Sequence, residues 1–597
     1  MVQHSGKSFF SATVQPVFSA QVARTAINVG LVAGLLSIAV SASASPTQIR
    51  QCEQRPTQGH PWIGASEAAP ALAAARSVLL SAYTHGLDPA DYHADQLDAR
   101  AEQLLARLAQ TQNQEATTPL ATEIAAFNQD MTTRVTCFLS HAKLGALDPR
   151  KIHDDIDIPA RQWNARTELN QAWQAESVID LLETAYPANE QYQALRIALA
   201  KYRTLADQER STSLRPIEAA TLEPGMRAMA VNDLRDRLVF LGDLDRHDFL
   251  EASRLDSFVS EENIAADAAA PILAPLYDLF TVQAVKRFQT RHGLVADGIV
   301  GRKTIAALNT PLFERVAQLE LSMERLRWLP DMGDARVIRV NLPEFRLTSN
   351  GQSDAEPLDA RVVIGRSGKS PTPIYVGQIK RLEVSPYWYV PASIAKEEIL
   401  PRLRQNPDRL RRMDMEITTG GGRVYRDATP ALLDLLASGA AKLRQRPGAK
   451  NALGRFKFVL PNARGIYLHD TSAKRLFGRT QRDFSHGCVR VEDPMALARL
   501  ILQDSPHWTE ERLQAAAIAE KPSYAKPTRP VMVVFSYETV RIADNGQIKF
   551  LPDVYDYNPR TIASVQRWAS MNSENVNATA RNSAEGQKLA QLSIESF

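Results

Sequence analysis

The chain has 597 residues, more than one hydrophobic core can serve, so roughly three to five domains are expected. A hydrophobic content of 44% with 23% charged residues is that of soluble globular protein and argues against a fibrous or wholly disordered chain. The formal net charge of +3 argues against a nucleic-acid polyanion as the main ligand, while leaving room for local basic patches.

Before Ser45 the only charged residues are Lys7 and Arg24. They precede an apolar run over 27–40 and the small residues Ser41-Ala42-Ser43-Ala44. A charged start, a short apolar stretch and a small-residue cleavage site predict a secretory leader over 1–44. The apolar run is short for a bilayer span, which needs about 20 residues; an uncleaved membrane anchor is the alternative. Either way the bulk of the chain is expected outside the cytoplasm, in the periplasm or held at the inner membrane. Cys52, Cys137 and Cys488 are the three cysteines. Cys52 and Cys137 could pair or stay free, since sequence gives no distance. Cys488 is the odd thiol, a candidate reactive group in an exported chain.

Residues 45–220 read as helical, with apolar residues at helical spacing in 71–80 and 97–109. His85-Gly86-Leu87-Asp88-Pro89 and Gly145-Ala146-Leu147-Asp148-Pro149 resemble each other. Each sets a helix-stopping glycine before an Asp-Pro start. Residues 222–312 form a second unit, with Leu234, Leu238 and Leu241 on one face of a helix over 229–241. Its second half carries Phe288-Gln289, His292-Gly293-Leu294, Asp297-Gly298, Gly301, Thr304 and Leu308-Asn309. This pattern resembles the three-helix peptidoglycan-binding domain of cell-wall enzymes. Gly293, Gly298 and Gly301 are expected at positions needing positive φ. The acidic and Ala-rich stretch 243–275 reads as an inserted loop.

From 336 strands take over: 336–342 and 346–348 alternate, and 361–365 reads as a buried strand. An Arg-rich, helical-looking insertion follows over 395–447; Arg402, Arg404, Arg409, Arg411 and Arg412 read as a wet face, with contact to anionic wall strands as the alternative. Strands resume at 456–460 and 465–469. Asp493 and Pro494 then start a helix over 494–503 as cap and first residue. Late strands fall at 531–536, 540–542 and 548–550, the last two joined by Asp544-Asn545-Gly546. The polar tail, 570–597, is expected to be disordered.

The chemistry is concentrated in His469-Asp470-Thr471 and Ser485-His486-Gly487-Cys488-Val489-Arg490. Acyl transfer to sulfur needs a thiolate, a base to take its proton, and donors for the oxyanion. Cys488 supplies the first and His469, ending a strand, the second. Gly487 lets a carbonyl approach the backbone, and the Gly487 and Cys488 amides are candidate oxyanion donors. His486 could orient the site or support the thiolate. Zinc held by His469, His486 and Cys488 is disfavoured, because no paired ligand motif has zinc-site spacing; neither a metal nor another cofactor is expected.

The His469–Cys488 segment resembles the catalytic motif of the L,D-transpeptidase family with the YkuD-type fold: a histidine, a spacer of 15 residues here, then Ser-His-Gly-Cys. The resemblance implies Cys488 as nucleophile, His469 as general base, and His486, Gly487, Ser485 and the Asp470 backbone carbonyl in support. Arg490, Tyr467 and Trp388 are candidate substrate contacts; each could instead be structural. Arg325-Leu326-Arg327-Trp328-Leu329-Pro330, Pro386-Tyr387-Trp388-Tyr389-Val390-Pro391 and Asn451-Ala452-Leu453-Gly454 extend the likeness to the larger Gram-negative, YcbB-like subgroup. Ser385 and Tyr389 depart from it, where asparagine is usual. That subgroup implies a multidomain α+β chain. A helical scaffold (45–220) precedes a small three-helix peptidoglycan-binding domain (222–312). A mostly-β YkuD-like catalytic domain (336–505) follows, with a helical cap inserted at 395–447, and strands over 506–560 complete the scaffold or the catalytic region.

It also implies peptidoglycan stem peptides and glycan strands as partners, carbapenem-type inhibitors, other cell-wall synthesis enzymes as potential associates, and no nucleic acid. The implied reaction cross-links third residues of stem peptides through a Cys488 thioester with release of D-alanine. Hydrolysis by an L,D-carboxypeptidase, attachment of a lipoprotein, and a non-catalytic wall-binding scaffold are the alternatives. A papain-like or NlpC-like peptidase places its cysteine before its histidine, the reverse of the order here.

Overall fold

The computed structural model describes residues 59–64, 68–110, 118–254, 274–333, 335–349, 357–559 and 561. The expected leader, Cys52, most of the inserted loop and the polar tail lie outside these residues. Cys137, buried in a helix, is disulfide-bonded, and Cys488 is a free thiol.

The helical region contains α1 (Ala68–Leu80), α2 (Ala94–Gln110), α3 (Thr118–Leu144), α4 (Ala165–Gln174), α5 (Val178–Glu183) and α6 (Glu190–Ser211). Phe127, Met131, Val135 and Phe138 recur three or four residues apart along α3, which puts them on one face in the core of this layer. The second unit holds α7 (Ala230–Leu241), α8 (Leu279–Arg291) and α9 (Arg302–Leu308) around Leu234, Leu238, Val285 and Phe288. Gly293 and Gly298 have φ of +64° and +81°, as positions closing a helix and a turn require. Gly301 differs: its φ is −86° and a side chain would meet nothing within 4 Å, so it only begins α9.

Helix α10 (Leu312–Trp328) is the strut between the layers. Both Asp-Pro turns close on it. Gly86 packs on Glu320, and Gly145 packs on Glu324 one turn later, where a Cβ would come within 2.6 Å of the carboxylate. Glu324 accepts the Ala146 and Leu147 N–H groups at 3.1 and 2.9 Å and the Trp328 indole at 2.9 Å. Arg327 donates to Glu324 at 2.7 Å and to the His85 carbonyl and Tyr192 hydroxyl at 2.9 and 3.0 Å. The repeated Gly-x-Leu-Asp-Pro-like punctuation therefore also supplies two docking turns for one helix.

Short β1 (Ile156–Asp157) reaches from the helical region to pair with the catalytic sheet. That sheet contains β2 (Arg336–Asn341), β3 (Arg346–Ser349), β4 (Asp359–Gly365), β5 (Ile374–Gln378) and β6 (Arg381–Val384). The cap follows, with β7 (Trp388–Tyr389), β8 (Met415–Thr419), β9 (Val424–Tyr425) and β10 (Ala441–Gln445) in their own four-stranded sheet, in the order β7-β10-β8-β9. Helices α11 (Leu400–Gln405) and α12 (Pro430–Ser438) cover it. The cap is helical in part, as expected, but it also holds a sheet: alternating stretches such as Met415-Glu416-Ile417 and Ala441-Lys442-Leu443 bury one face and pair as strands. Of the five arginines expected as a wet face, Arg404, Arg411 and Arg412 face acids (Asp434, Asp427 and Asp408), as a wet face would have them.

The catalytic sheet resumes with β11 (Phe456–Val459), β12 (Leu468–His469), β13 (Asp483–Ser485) and β14 (Val489–Val491). Asp493 caps α13 (Pro494–Leu502), its carboxylate accepting the Ala496 N–H at 2.9 Å. After α14 (Glu510–Ile518), β15 (Ser523–Ala525) and β16 (Val531–Ser536) enter the same sheet. Strand order is β1-β5-β16-β2-β3-β4-β14-β12-β11-β6-β15, with β13 beside β4. Strands β5 and β6 are consecutive yet lie far apart in this order. The bend between them is held by Ile379 N–H on Val531 and Lys380 N–H on Val459, which folds the sheet over one core. Hairpin β17 (Val540–Ile542) and β18 (Ile548–Phe550), turning at Gly546, instead packs Val540 and Phe550 against α6 and α10.

Candidate active site

Neighbouring strands put the expected residues on one face. Leu468 pairs with Val489 and His469 with Arg490 in the parallel β12–β14 ladder. Period-two alternation turns Leu468, Val489 and Val491 into the core, and Tyr467, His469, Cys488 and Arg490 to the other side. On β11, Lys457 lies opposite His469 between the core residues Phe456 and Phe458. Glu383 on β6 lies opposite Lys457.

His469 is buried, and its Nδ1 faces the Asp470 backbone carbonyl. A nitrogen facing a carbonyl must donate, so the neutral ring keeps its proton on Nδ1 and a lone pair on Nε2. Burial, reinforced by Arg490 and then Lys457 against the opposing Asp470 carbonyl, pulls the imidazole down to about 3. The Asp470 carboxylate is occupied elsewhere: it accepts the Thr471 and Arg455 N–H groups at 2.6 and 2.8 Å and meets Lys474 at 2.7 Å.

Cys488 is half-buried, with a reachable residue surface but dense surroundings. Burial pushes its thiol up, opposed by hydrogen bonding from Tyr467 and by the charges of Lys457 and Arg490. The thiol's other partner is the Gly465 carbonyl, 3.9 Å away. Among the described residues neither imidazole is hydrogen-bonded to the sulfur, a loose arrangement common before substrate tightens a site. Arg490 Nε is buried without a hydrogen-bond partner among the described residues.

The turn ahead of the thiol is closed by Ser485, whose hydroxyl donates to the Cys488 carbonyl at 2.5 Å and accepts the Gly487 N–H at 3.1 Å. The Gly487 amide, expected as an oxyanion donor, is thus already engaged, while no described residue accepts the Cys488 amide. Gly487 has φ of +108°, and a Cβ there would sit 3.0 Å from Ile466. Its carbonyl accepts the Thr372 hydroxyl at 2.8 Å. Thr372 in turn is fixed by Gly365 N–H at 2.8 Å and the Tyr555 hydroxyl at 3.1 Å. Sequence reasoning missed Thr372, which touches the turn, and Tyr555, which holds Thr372, since no local pattern marks partners more than a hundred positions apart.

His486 is turned away from the thiol row. Its Nε2 meets Glu398 of the cap at 2.6 Å, and both side chains are about a third exposed (36% each). Glu398 belongs to a π-helical turn, Ala395–Ile399, a form that often marks function. Trp388, a candidate substrate contact, packs half-buried against the cap core. Ser385 is buried, with its hydroxyl on the Ala516 and Ala517 carbonyls at 3.0 and 3.1 Å, so that departure from the subgroup pattern is structural. Tyr389 is 64% exposed.

Residues 335–510, which contain Lys457, Tyr467, His469, Cys488 and Arg490, match the family model of the L,D-transpeptidase catalytic domain. The chain carries a YkuD-type L,D-transpeptidase catalytic domain. Residues 57–199 match a scaffold domain, and 275–308 match a domain described as "Putative peptidoglycan binding domain". A curated relative from Haemophilus influenzae, named "Putative L,D-transpeptidase", is 31% identical over 284 residues, 46% of this chain and 56% of the relative. The chain thus spans about half the length of that relative. The multidomain order of helical scaffold, small peptidoglycan-binding unit and mostly-β YkuD domain agrees with the expected fold class.

Proposed function

We propose that this protein is a periplasmic L,D-transpeptidase that links third residues of peptidoglycan stem peptides through a thioester on Cys488. The observation that carries the reading is a free, partly exposed cysteine one diagonal strand step from an imidazole whose Nδ1 is fixed by a backbone carbonyl. Cys488 Sγ attacks the amide between the third residue of a tetrapeptide stem and its terminal D-alanine. Its proton passes to His469 Nε2, and the Cys488 N–H faces the developing oxyanion. The C–N bond breaks, His469 returns the proton to the departing amine, and the S–C bond remains as thioester. The side-chain amine of a neighbouring third residue then attacks. Its proton goes by way of His469 back to sulfur, and the thiol is regenerated. Arg490, whose buried Nε has no partner among the described residues, suits a substrate carboxylate, and Tyr467 lies over the same face. Glycan strands are engaged through residues 275–308 and their surroundings, carbapenem-type β-lactams acylate the same sulfur, and other cell-wall enzymes are the natural associates.

The test is incubation of purified protein with tetrapeptide-bearing muropeptides, followed by mass. Dimers lacking one D-alanine are expected. Monomers lacking D-alanine would instead indicate an L,D-carboxypeptidase, lipoprotein-linked product an attachment enzyme, and binding without turnover a scaffold. Intact mass after carbapenem exposure is expected to show an adduct on wild type and none on Cys488→Ala; adducts on both would overturn the assignment.

A further inference from the structure

The register of four strands aligns Glu383, Lys457, His469 and Arg490 as direct neighbours in a row across β6, β11, β12 and β14. The imidazole therefore has a cation on each side. Nothing in the catalytic motif requires the one on β11. Lys457 is held in place twice. Its Nζ is 3.3 Å from Glu383 Oε2 and 4.7 Å from the centroid of the Tyr467 ring. Glu383 is itself steadied by Arg381 at 2.7 Å. Tyr467 stands edge-on to His469, ring centroids 5.5 Å apart, and its neighbour across the ladder is Cys488, whose following residue donates its N–H to the Tyr467 carbonyl at 3.1 Å. Only 20% of the lysine side chain is exposed, so solvent screens its charge poorly.

We propose that Lys457 is a positioning residue of the thiol site: its ammonium, seated on Tyr467 by Glu383, adds to burial and Arg490 in disfavouring a protonated His469 and so helps the imidazolium pass its proton to the leaving amine. This rests on the reading of Cys488 and His469 given above. A base that has just taken the thiol proton must give it up again, and a second cation beside it favours the release. The charged groups facing the imidazole are Lys457 from β11 and Arg490 from β14, with Cys488 and Tyr467 beside it; the Asp470 carboxylate is turned to Lys474. Arg490 approaches from the thiol side and has an orphaned nitrogen for substrate, whereas Lys457 approaches from the opposite side with Glu383 already attached. The two cations are thus not interchangeable.

The experiment compares wild type with Lys457→Met and Lys457→Arg. It follows the pH profile of carbapenem acylation by intact mass and of Cys488 alkylation by iodoacetamide. Without the cation His469 takes a proton more readily and the thiol gives one up less readily. Both limbs should therefore move to higher pH in Lys457→Met, by roughly one unit, and return towards wild type in Lys457→Arg. Circular dichroism confirms that each variant is folded. If Lys457→Met misfolds, Glu383→Gln, which frees the lysine from its anchor, is measured in its place and should broaden or displace the same limbs. Profiles that superimpose for all variants, or a loss that Lys457→Arg fails to restore, would overturn the proposal. A wild-type protein that takes no carbapenem at Cys488 would instead overturn the underlying enzyme assignment.

Discussion

Two buried sets of charge in this molecule are built on opposite principles. On the strut, Glu324 and Arg327 are saturated: both carboxylate oxygens and all the guanidinium nitrogens have partners from α10, the Asp-Pro turns and Tyr192. Although burial opposes it, Arg327 and these N–H donors hold Glu324 below its ordinary value. On the catalytic sheet, Lys457 and Arg490 flank His469 and add to the burial that keeps its imidazole neutral, and a buried Arg490 nitrogen has no partner among the described residues. A saturated network has no capacity left for a ligand and serves stability and register. An unsaturated one costs stability and keeps its capacity for substrate.

Substituting one member of each set should separate rate from stability. His469→Ala should lower acylation of Cys488 by about 10²–10⁴-fold, the usual worth of a positioned acid–base group, with much less effect on the melting temperature. A matched loss of rate and folding would erase the distinction. Glu324→Ala should do the reverse. It leaves Arg327 buried and unpaired, at a cost of about 3–5 kcal/mol in denaturant unfolding, while the folded fraction keeps its thiol reactivity.

The two sets also titrate in different windows. His469 has a folded value near 3 against an ordinary 6.5. Below pH 6.5 the unfolded chain binds a proton that the fold refuses, so this stability is present above 6.5 and lost as pH falls towards 3. His469→Gln should flatten the fall of stability with pH in that range. Glu324 is depressed from 4.5, so its contribution is present above 4.5 and lost only at more acidic pH; Glu324→Gln should leave the slope between 6.5 and 4.5 unchanged.

Smaller effects are expected at the margins of the site. Thr372→Val removes the hydroxyl shared by the Gly487 carbonyl and the Gly365 N–H, at about 1–3 kcal/mol for the group left unsatisfied, together with slower acylation as the turn loosens. His486→Gln breaks a contact to Glu398 between side chains about a third exposed, worth no more than about 1 kcal/mol. It should change thermal stability barely measurably. A large loss of acylation there would move His486 into the chemistry and blur the contrast with His469.

Much of this was legible along the chain because it is local. Asp493-Pro494 capping a helix, Asp544-Asn545-Gly546 turning a hairpin, and the strands at 336–341, 456–459 and 531–536 follow from nearest-neighbour stereochemistry and period-two burial. The spacing of His469 and Cys488 was visible for the same reason. Other features depended on distant pairings. The cap's sheet was hidden because Arg-rich strands and helices look alike until a partner strand covers one face. Gly301 looked like a turn glycine because sequence carries no φ.

The residue order by itself therefore determined where helices and strands begin, which segments bury a face, and which thiol and imidazole could meet. Only the tertiary structure decided that Lys457 and Arg490 flank that imidazole, that Thr372 holds the turn, and that His486 reaches across to the cap. Local preference is encoded within a few residues. The electrostatic environment of a side chain is set by whatever the register of distant strands brings beside it.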